Sequence, residues 1–258
     1  MYFVILLLLL IYAILLTISL LRKKELFGNN LSKSNFKFIY LNLEKDTDKR
    51  NKFTSNCQRI NLKVYRFNGI NGSLLSNQYK RNLVSQNYIT NRFLNNKTNG
   101  QLGCAVSHFK ILEEHKNHGQ HLIIFEDDAI IESNFDSNLS KFLRALPSDW
   151  DVFYLYINNF YLNPEQHKKG GKQRIKINEQ LYKPIAPIGL ICYGVNKNSI
   201  SKVLNLLKPL DNTPIDNKLA SLISKGKINS YTTPRNIVGH PLVYYSNTFQ
   251  KNMVRKTV

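Results

Sequence analysis

The sequence predicts an α/β protein, a mainly parallel sheet flanked by helices and preceded by one N-terminal transmembrane helix. Three observations carry that prediction. Tyr2–Leu21 is a run of twenty residues without a charge, and at 1.5 Å rise per residue such a helix spans the roughly 30 Å of bilayer hydrocarbon. Phe36–Phe67 reads as strand, helix, strand, a spacing that needs a crossover and therefore parallel pairing. His121–Ile131, HLIIFEDDAII, holds a short apolar run, Leu122 to Phe125, that suits a strand covered on both faces and ends on three consecutive acids.

The membrane segment comes first in the chain. A core helix of that length would show a polar face, and this one offers only Thr17 and Ser19. A cleavable signal peptide would have a positive n-region, a shorter apolar core and a small-residue cleavage site, whereas here Arg22, Lys23 and Lys24 follow the run. The expectation is a single-pass membrane protein with residues 1–24 as anchor, 25–35 as polar linker and 36–258 as the main domain. The positive-inside rule puts Arg22–Lys24 in the cytosol, while secretory-pathway membrane enzymes more often face the other way. Asn-x-Ser/Thr triplets begin at Asn30, Asn71, Asn96 and Asn138, about the number that chance gives in so Asn-rich a chain, so the side holding the domain stays open.

Lys plus Arg number 36 against 17 Asp plus Glu, a net charge of +19. That charge alone permits nucleic-acid binding, but no stacking motif or recognition helix accompanies it, and no nucleic acid is expected as a partner. Cys57, Cys104 and Cys192 are odd in number and widely spaced, which indicates neither a disulfide framework nor a zinc site.

The domain opens with Phe36–Leu43, in which Phe36, Phe38 and Tyr40 alternate with Lys37, Ile39 and Leu41, the period of a strand. Asp46 or Thr47 caps a helix carrying Arg50, Phe53, Cys57 and Ile60 at helical spacing. Val64–Phe67 gives a second strand, closed by a glycine-containing turn at Asn68–Gly72. Ligands of parallel sheets bind at the carboxyl ends of strands, which places Asn42 and Arg50 within reach of a nucleotide; Arg50 equally suits a solvated helix face. Leu74–Asn99 is weakly patterned and reads as one helix and a loop. A helix from about Leu102 to His115 follows, with Leu102, Val106, Phe109 and Leu112 on one stripe. Gly100 and Gly103 at its start admit another backbone or a ligand closely. Ser107 and His108 lie one step around, and His108 alone fits a core-edge histidine as well as a catalyst.

Beyond the acids, Phe135–Leu146 reads as a helix stopped by Pro147, Asp151–Ile157 as a strand, and Tyr161–Lys183 as a basic loop plus hairpin. Ile185–Val195 reads as a strand, Asn196–Leu207 as a helix, Pro214–Ser224 as a helix bearing Asp216, and the end as an extended cover.

The acids are the chemical centre of the sequence. Along extended chain Glu126 and Asp128 share a face, roughly 6–7 Å apart at the backbone, and Asp127 points away. That spacing suits one hard divalent cation with a diphosphate. A solvated turn is the plainer alternative, but three adjacent acids repel one another unless a cation or basic groups neutralise them.

Several blocks together carry a resemblance. IYLNLEKDTDKR (Ile39–Arg50), FNGING (Phe67–Gly72), GQLGCAVSH (Gly100–His108), LIIFEDDA (Leu122–Ala129), GLICYGV (Gly189–Val195) and PID (Pro214–Asp216) resemble, in order and spacing, glycosyltransferase family 25. That family includes lipopolysaccharide galactosyltransferases and the procollagen galactosyltransferase domain. The resemblance implies a GT-A-like, Rossmann-type fold and inverting transfer of galactose or glucose from a UDP-sugar to a glycan, lipid-linked glycan or protein. It implies Mn²⁺ or Mg²⁺ on Glu126 and Asp128, with Asp127 turned toward sugar hydroxyls or a basic partner. Asn42, Arg50, Gly103, Ser107 and His108 fall at the donor site and Asp216 becomes the general base, although alone it fits an ordinary helix N-terminal acid. Two departures are Asn71, where members commonly have Asp, and Asn217, where a His commonly follows the Asp. Two other classes are a glycoside hydrolase, whose carboxylates stand about 5 Å or more apart and usually on different strands, and an inactive, membrane-tethered basic binding protein.

Overall fold

The computed structural model describes residues 9–17, 31–158, 174–241, 243–244 and 253–254. Residues 9–17 are helical, and Leu9, Leu10, Tyr12 and Leu15 there are exposed. The remainder of the predicted membrane segment, and most of the linker, lies outside the described residues. Among the described residues no helix is long and apolar enough to cross a membrane.

An eight-stranded sheet in the order β2-β1-β3-β8-β5-β9-β7-β6 forms the middle layer. Its strands are β1 (Phe36–Leu43), β2 (Tyr65–Gly69), β3 (His121–Glu126), β5 (Val152–Tyr154), β6 (Arg174–Lys176), β7 (Tyr182–Pro184), β8 (Cys192–Val195) and β9 (Ser230–Thr232). The two-residue strands β4 (Ile130–Ile131) and β10 (Val238–Gly239) pair beside it, as do β11 (Val243–Tyr244) and β12 (Met253–Val254). β1 pairs parallel with β2 and β3, and β5 with β9, as the crossover spacing requires. β8 runs antiparallel to both β3 and β5, and β7 antiparallel to β9 and β6. The sheet is therefore mixed where a mainly parallel one was expected. β8 pairs antiparallel with β5, so the chain re-enters the sheet from the end it left.

Side-chain alternation divides the core. Phe36, Phe38, Tyr40, Ile123, Phe125 and Phe153 face α1 (Thr47–Arg59) and α5 (Phe135–Ala145), packing on Phe53, Phe135, Phe142 and Trp150. Ile39, Leu122, Ile124, Tyr154 and Tyr193 face α4 (Asn99–His115), α6 (Ile200–Leu207) and α7 (Ile215–Ser224), with Phe109, Val203 and Leu219. Leu122, Ile123, Ile124 and Phe125 are each 0% exposed, and burial of such side chains stabilises by about 1.5–3 kcal/mol apiece. Pairing with β1 on one side and β8 on the other sets the register of the strand. The acids after Phe125 are thereby fixed in place.

Four local expectations need correction. Leu74–Asn99 holds two helices, α2 (Asn77–Ser85) and α3 (Asn91–Asn96), because Ser76 and Thr90 each cap one by accepting from the backbone N–H three residues on. Only Cys192–Val195 of the predicted Ile185–Val195 is strand, and only Val152–Tyr154 of Asp151–Ile157; apolar runs there mark burial more than pairing. The helix expected from about Leu102 begins at Asn99, where Thr98 and Gln101 form a reciprocal capping box.

His121 lies beside Phe36 and the sole tryptophan, Trp150, with ring centroids 5.1 Å away in each case. Its Nδ1 accepts the Lys197 backbone N–H at 3.1 Å, which requires that nitrogen unprotonated. Burial, then the Lys197 charge, lowers its pKa to about 4 from 6.5. The unfolded chain thus takes up this proton near pH 6.5 and the folded one only near 4, so stability present above pH 6.5 is lost as pH falls through that window. We expect a loss of up to about 3 kcal/mol, seen as a drop in urea midpoint between pH 7 and pH 4.5. His121→Gln should remove most of that drop, and an unchanged pH profile would rule His121 out as its source.

Candidate active site

β3 ends at Glu126, and Asp127 and Asp128 lie in a turn closed by the Ala129 N–H donating to the Glu126 carbonyl at 3.1 Å. The extended-chain alternation that put Glu126 and Asp128 on one face therefore stops at Glu126. Each acid meets a different neighbour.

Asp127 turns toward the first βα unit. Its Oδ2 accepts from Asn42 Nδ2 at 2.7 Å, and Lys49 Nζ stands 3.5 Å from Oδ1. Asn42, 1% exposed at the end of β1, has its amide fully engaged: Nδ2 also donates to the Asp46 carbonyl at 2.9 Å, and Oδ1 accepts from Arg66 Nε at 3.1 Å. Arg66 reaches on to Glu44 at 2.8 Å, and Arg50 lies 3.6 Å from the same carboxylate. Burial pushes the Asp127 pKa up to about 6, against the pull of Lys49 and Asn42 and with a push from Asp128 and Glu126. Lys49 is lowered by burial but raised on balance by Asp127, Asp128 and Asp46.

Asp128 turns toward the C-terminal segment. Its Oδ2 lies 3.3 Å from His240 Nε2, while Oδ1 is buried with no hydrogen-bond partner among the described residues. An enclosed carboxylate oxygen left unpaired is costly and suits a ligand. Oxygen donors fit Mn²⁺ or Mg²⁺, and the unpaired Asp128 oxygen is one such donor.

Glu126 turns the third way, its Oε1 3.6 Å from His108 Nε2. His108 is 0% exposed and its Nδ1 lies 2.9 Å from the Tyr193 hydroxyl. Asp216 sits in the first turn of α7, two residues after Pro214. Burial raises the pKa values of Cys104 and Tyr154, and negative charge adds to it: Glu126, then Asp216 and Asp128 at Cys104, and Asp216 at Tyr154.

Two expected donor-site residues are committed to the scaffold. Ser107 Oγ donates to the Gly103 carbonyl at 2.7 Å and accepts the Ile70 N–H at 2.8 Å. Gly103 faces Gly72 and the Ile70 carbonyl so closely that a Cβ on it would lie 2.4 Å from that oxygen. The close approach read from the sequence is thus to the chain's own backbone. Asn71 caps the turn at Gly72–Leu74 by accepting the Ser73 N–H at 3.0 Å, a task that needs only an acceptor oxygen and so tolerates Asn for Asp. Sequence reasoning missed Lys49, Cys104, Tyr193 and His240. Cys104, four residues before His108 on one helix face, was legible; His240, between Gly239 and Pro241, carries no spacing signal.

A carboxylate-lined turn at the carboxyl end of a parallel strand, backed by basic side chains, defines a ligand-binding α/β protein of the kind whose sites lie beyond strand ends. The chain belongs to glycosyltransferase family 25: the model of that family, described as glycosyltransferase family 25 (LPS biosynthesis protein), matches residues 35–219. It is similar to the probable inactive glycosyltransferase 25 family member 3 of Bos taurus, 27% identical over 146 residues, 52% of this chain and 24% of that protein. It is also similar to procollagen galactosyltransferase 1-A of Xenopus laevis, 25% identical over 158 residues, 57% of this chain and 25% of that protein. The matched stretch thus spans about a quarter of the length of these relatives.

Proposed function

We propose that the protein is a metal-dependent, inverting glycosyltransferase that moves galactose or glucose from a UDP-sugar to a hydroxyl of a glycan, lipid-linked glycan or protein. The observation that carries this reading is the acidic turn after β3 with its enclosed, unpaired Asp128 oxygen, in a chain of this family. Mn²⁺ or Mg²⁺ on Asp128 and Glu126 would supply positive charge to the departing diphosphate. Asn42 and Lys49 hold Asp127 in one orientation, which supports the basic partner of the two roles expected for it. Asp216 accepts the proton of the acceptor hydroxyl as that oxygen bonds to the anomeric carbon and the bond to UDP breaks.

The test is UDP release by the purified protein over a panel of UDP-sugars and acceptors with Mn²⁺. Asp216→Asn should lower kcat by on the order of 10²-fold and leave UDP-sugar affinity unchanged, since a base acts in the transition state. Loss of donor affinity instead would move Asp216 to the donor site, and an unchanged rate would remove it from the site. A second reading is favoured by the word inactive in the name of a relative: a membrane-tethered binding protein without turnover. UDP-sugar binding with no release across the panel would establish it.

Anchoring through residues 2–21 belongs to the same proposal. It is supported by the uncharged run and by the exposure of Leu9, Leu10 and Leu15 in the helical residues 9–17. Deleting residues 1–24 should yield a domain that stays in the supernatant with a folded circular-dichroism spectrum. Aggregation with a disordered spectrum would make the segment part of the core.

A further inference from the structure

We propose that Cys104, His108 and Glu126 form a site for a thiophilic divalent cation such as Zn²⁺, distinct in chemistry from the hard ion of the transfer reaction. The Cys104 sulfur, a His108 nitrogen and a Glu126 oxygen lie within 4.8 Å of one another. Cys104 and His108 are four apart on α4 and so share a face, and Glu126 meets them from the end of β3. The second observation is His108 itself. It is 0% exposed, and its Nε2 has no hydrogen-bond partner among the described residues, the Glu126 oxygen standing 3.6 Å away. When the Tyr193 oxygen accepts from Nδ1–H, across 2.9 Å, Nε2 turns a lone pair toward Cys104 and Glu126. A metal-ligating histidine is oriented by just such an outer partner.

The donor set selects the ion. One sulfur, one imidazole nitrogen and one carboxylate oxygen are the ligands of Zn²⁺ and Co²⁺, whereas Mg²⁺ takes oxygen. Donors about 2.0–2.3 Å from a tetrahedral ion stand roughly 3.3–3.8 Å apart; His108 Nε2 and Glu126 Oε1, 3.6 Å apart, already have that spacing, and the widest pair, within 4.8 Å, closes by at most roughly 1.5 Å. The Cys104 thiol releases its proton to solvent as the sulfur binds. Three protein ligands leave a fourth position open. Zn²⁺ there would withdraw Glu126 from the transfer reaction; that consequence rests on the function proposed above, and the binding itself does not.

Co²⁺ is the probe, added to the full-length protein stripped of metal. One equivalent should bind and produce the thiolate-to-cobalt charge-transfer band and the visible bands of a tetrahedral ion. Zn²⁺ should displace it, and a hundredfold excess of Mg²⁺ should not. Cys104→Ser should abolish the charge-transfer band, while Cys57→Ser, in the opposite half of the core, should keep it. Glu126→Gln, at a quarter-exposed ligand, should keep the band and weaken binding at least tenfold, which preserves the test should Cys104→Ser lose its native circular dichroism. Absence of the band, its survival in Cys104→Ser, displacement by Mg²⁺, or unchanged affinity in Glu126→Gln would each overturn the site.

Discussion

Asp128→Asn is expected to abolish sugar transfer, by about 10²-fold or more, while leaving the fold and its melting temperature in place. Removing one carboxylate from an ion that neutralises a leaving diphosphate takes away several kcal/mol of transition-state stabilisation. Asn keeps the shape and one acceptor oxygen, and it relieves repulsion among Glu126, Asp127 and Asp128, so the turn has no reason to collapse. Asp127 is the contrasting case. Asn42 and Lys49 already hold it, so Asp127→Asn should disturb the Lys49 side of the site first. The measurement is UDP release with and without excess chelator, beside a thermal melt. Full turnover by Asp128→Asn, or by the wild type in chelator, would defeat the metal assignment.

Gly72→Ala is expected to cost about 3 kcal/mol or more of stability, the range of severe core overpacking. A Cβ on Gly72 would lie 1.9 Å from the Asn99 carbonyl oxygen and 2.8 Å from the Gly103 nitrogen. These are backbone atoms at the start of α4 and have no rotamer to change. The helix would have to move off the turn, taking with it the Ser107 bridge to Ile70 and then His108. Gly119→Ala is the control, because nothing lies within 4 Å of a Cβ there, and it should stay within about 0.5 kcal/mol. Equal urea midpoints for the two variants would show that the contact between turn and helix is not tight in solution.

The N-terminal strand–helix–strand unit, the β3 run and α4 were legible because burial and periodicity agree there. Phe36, Phe38 and Tyr40 alternate with Ile39, and both sets are covered. The β8 reversal was not legible, since an apolar run such as Ile191–Val195 has no direction written in it. Of the site, the acids were visible as residue types. Their partners were not, because Lys49 and His240 meet Asp127 and Asp128 across 78 and 112 positions of chain. The alternation argument failed at Asp127 for a local reason: the pleat persists only while the strand is paired, and the turn to Ala129 ends it.

The reach of the site from Asn42 to His240 bears on how the molecule assembles. β1 and β2 are close in sequence and their pairing can form early, while β1 with β3 closes a loop of about 80 residues, and His240 finds Asp128 only when the segment following β10 has docked. Contacts of such long sequence separation are the slow ones. Secondary structure should then recover before catalytic competence on refolding, with the interval between them set by the arrival of the chain's final third.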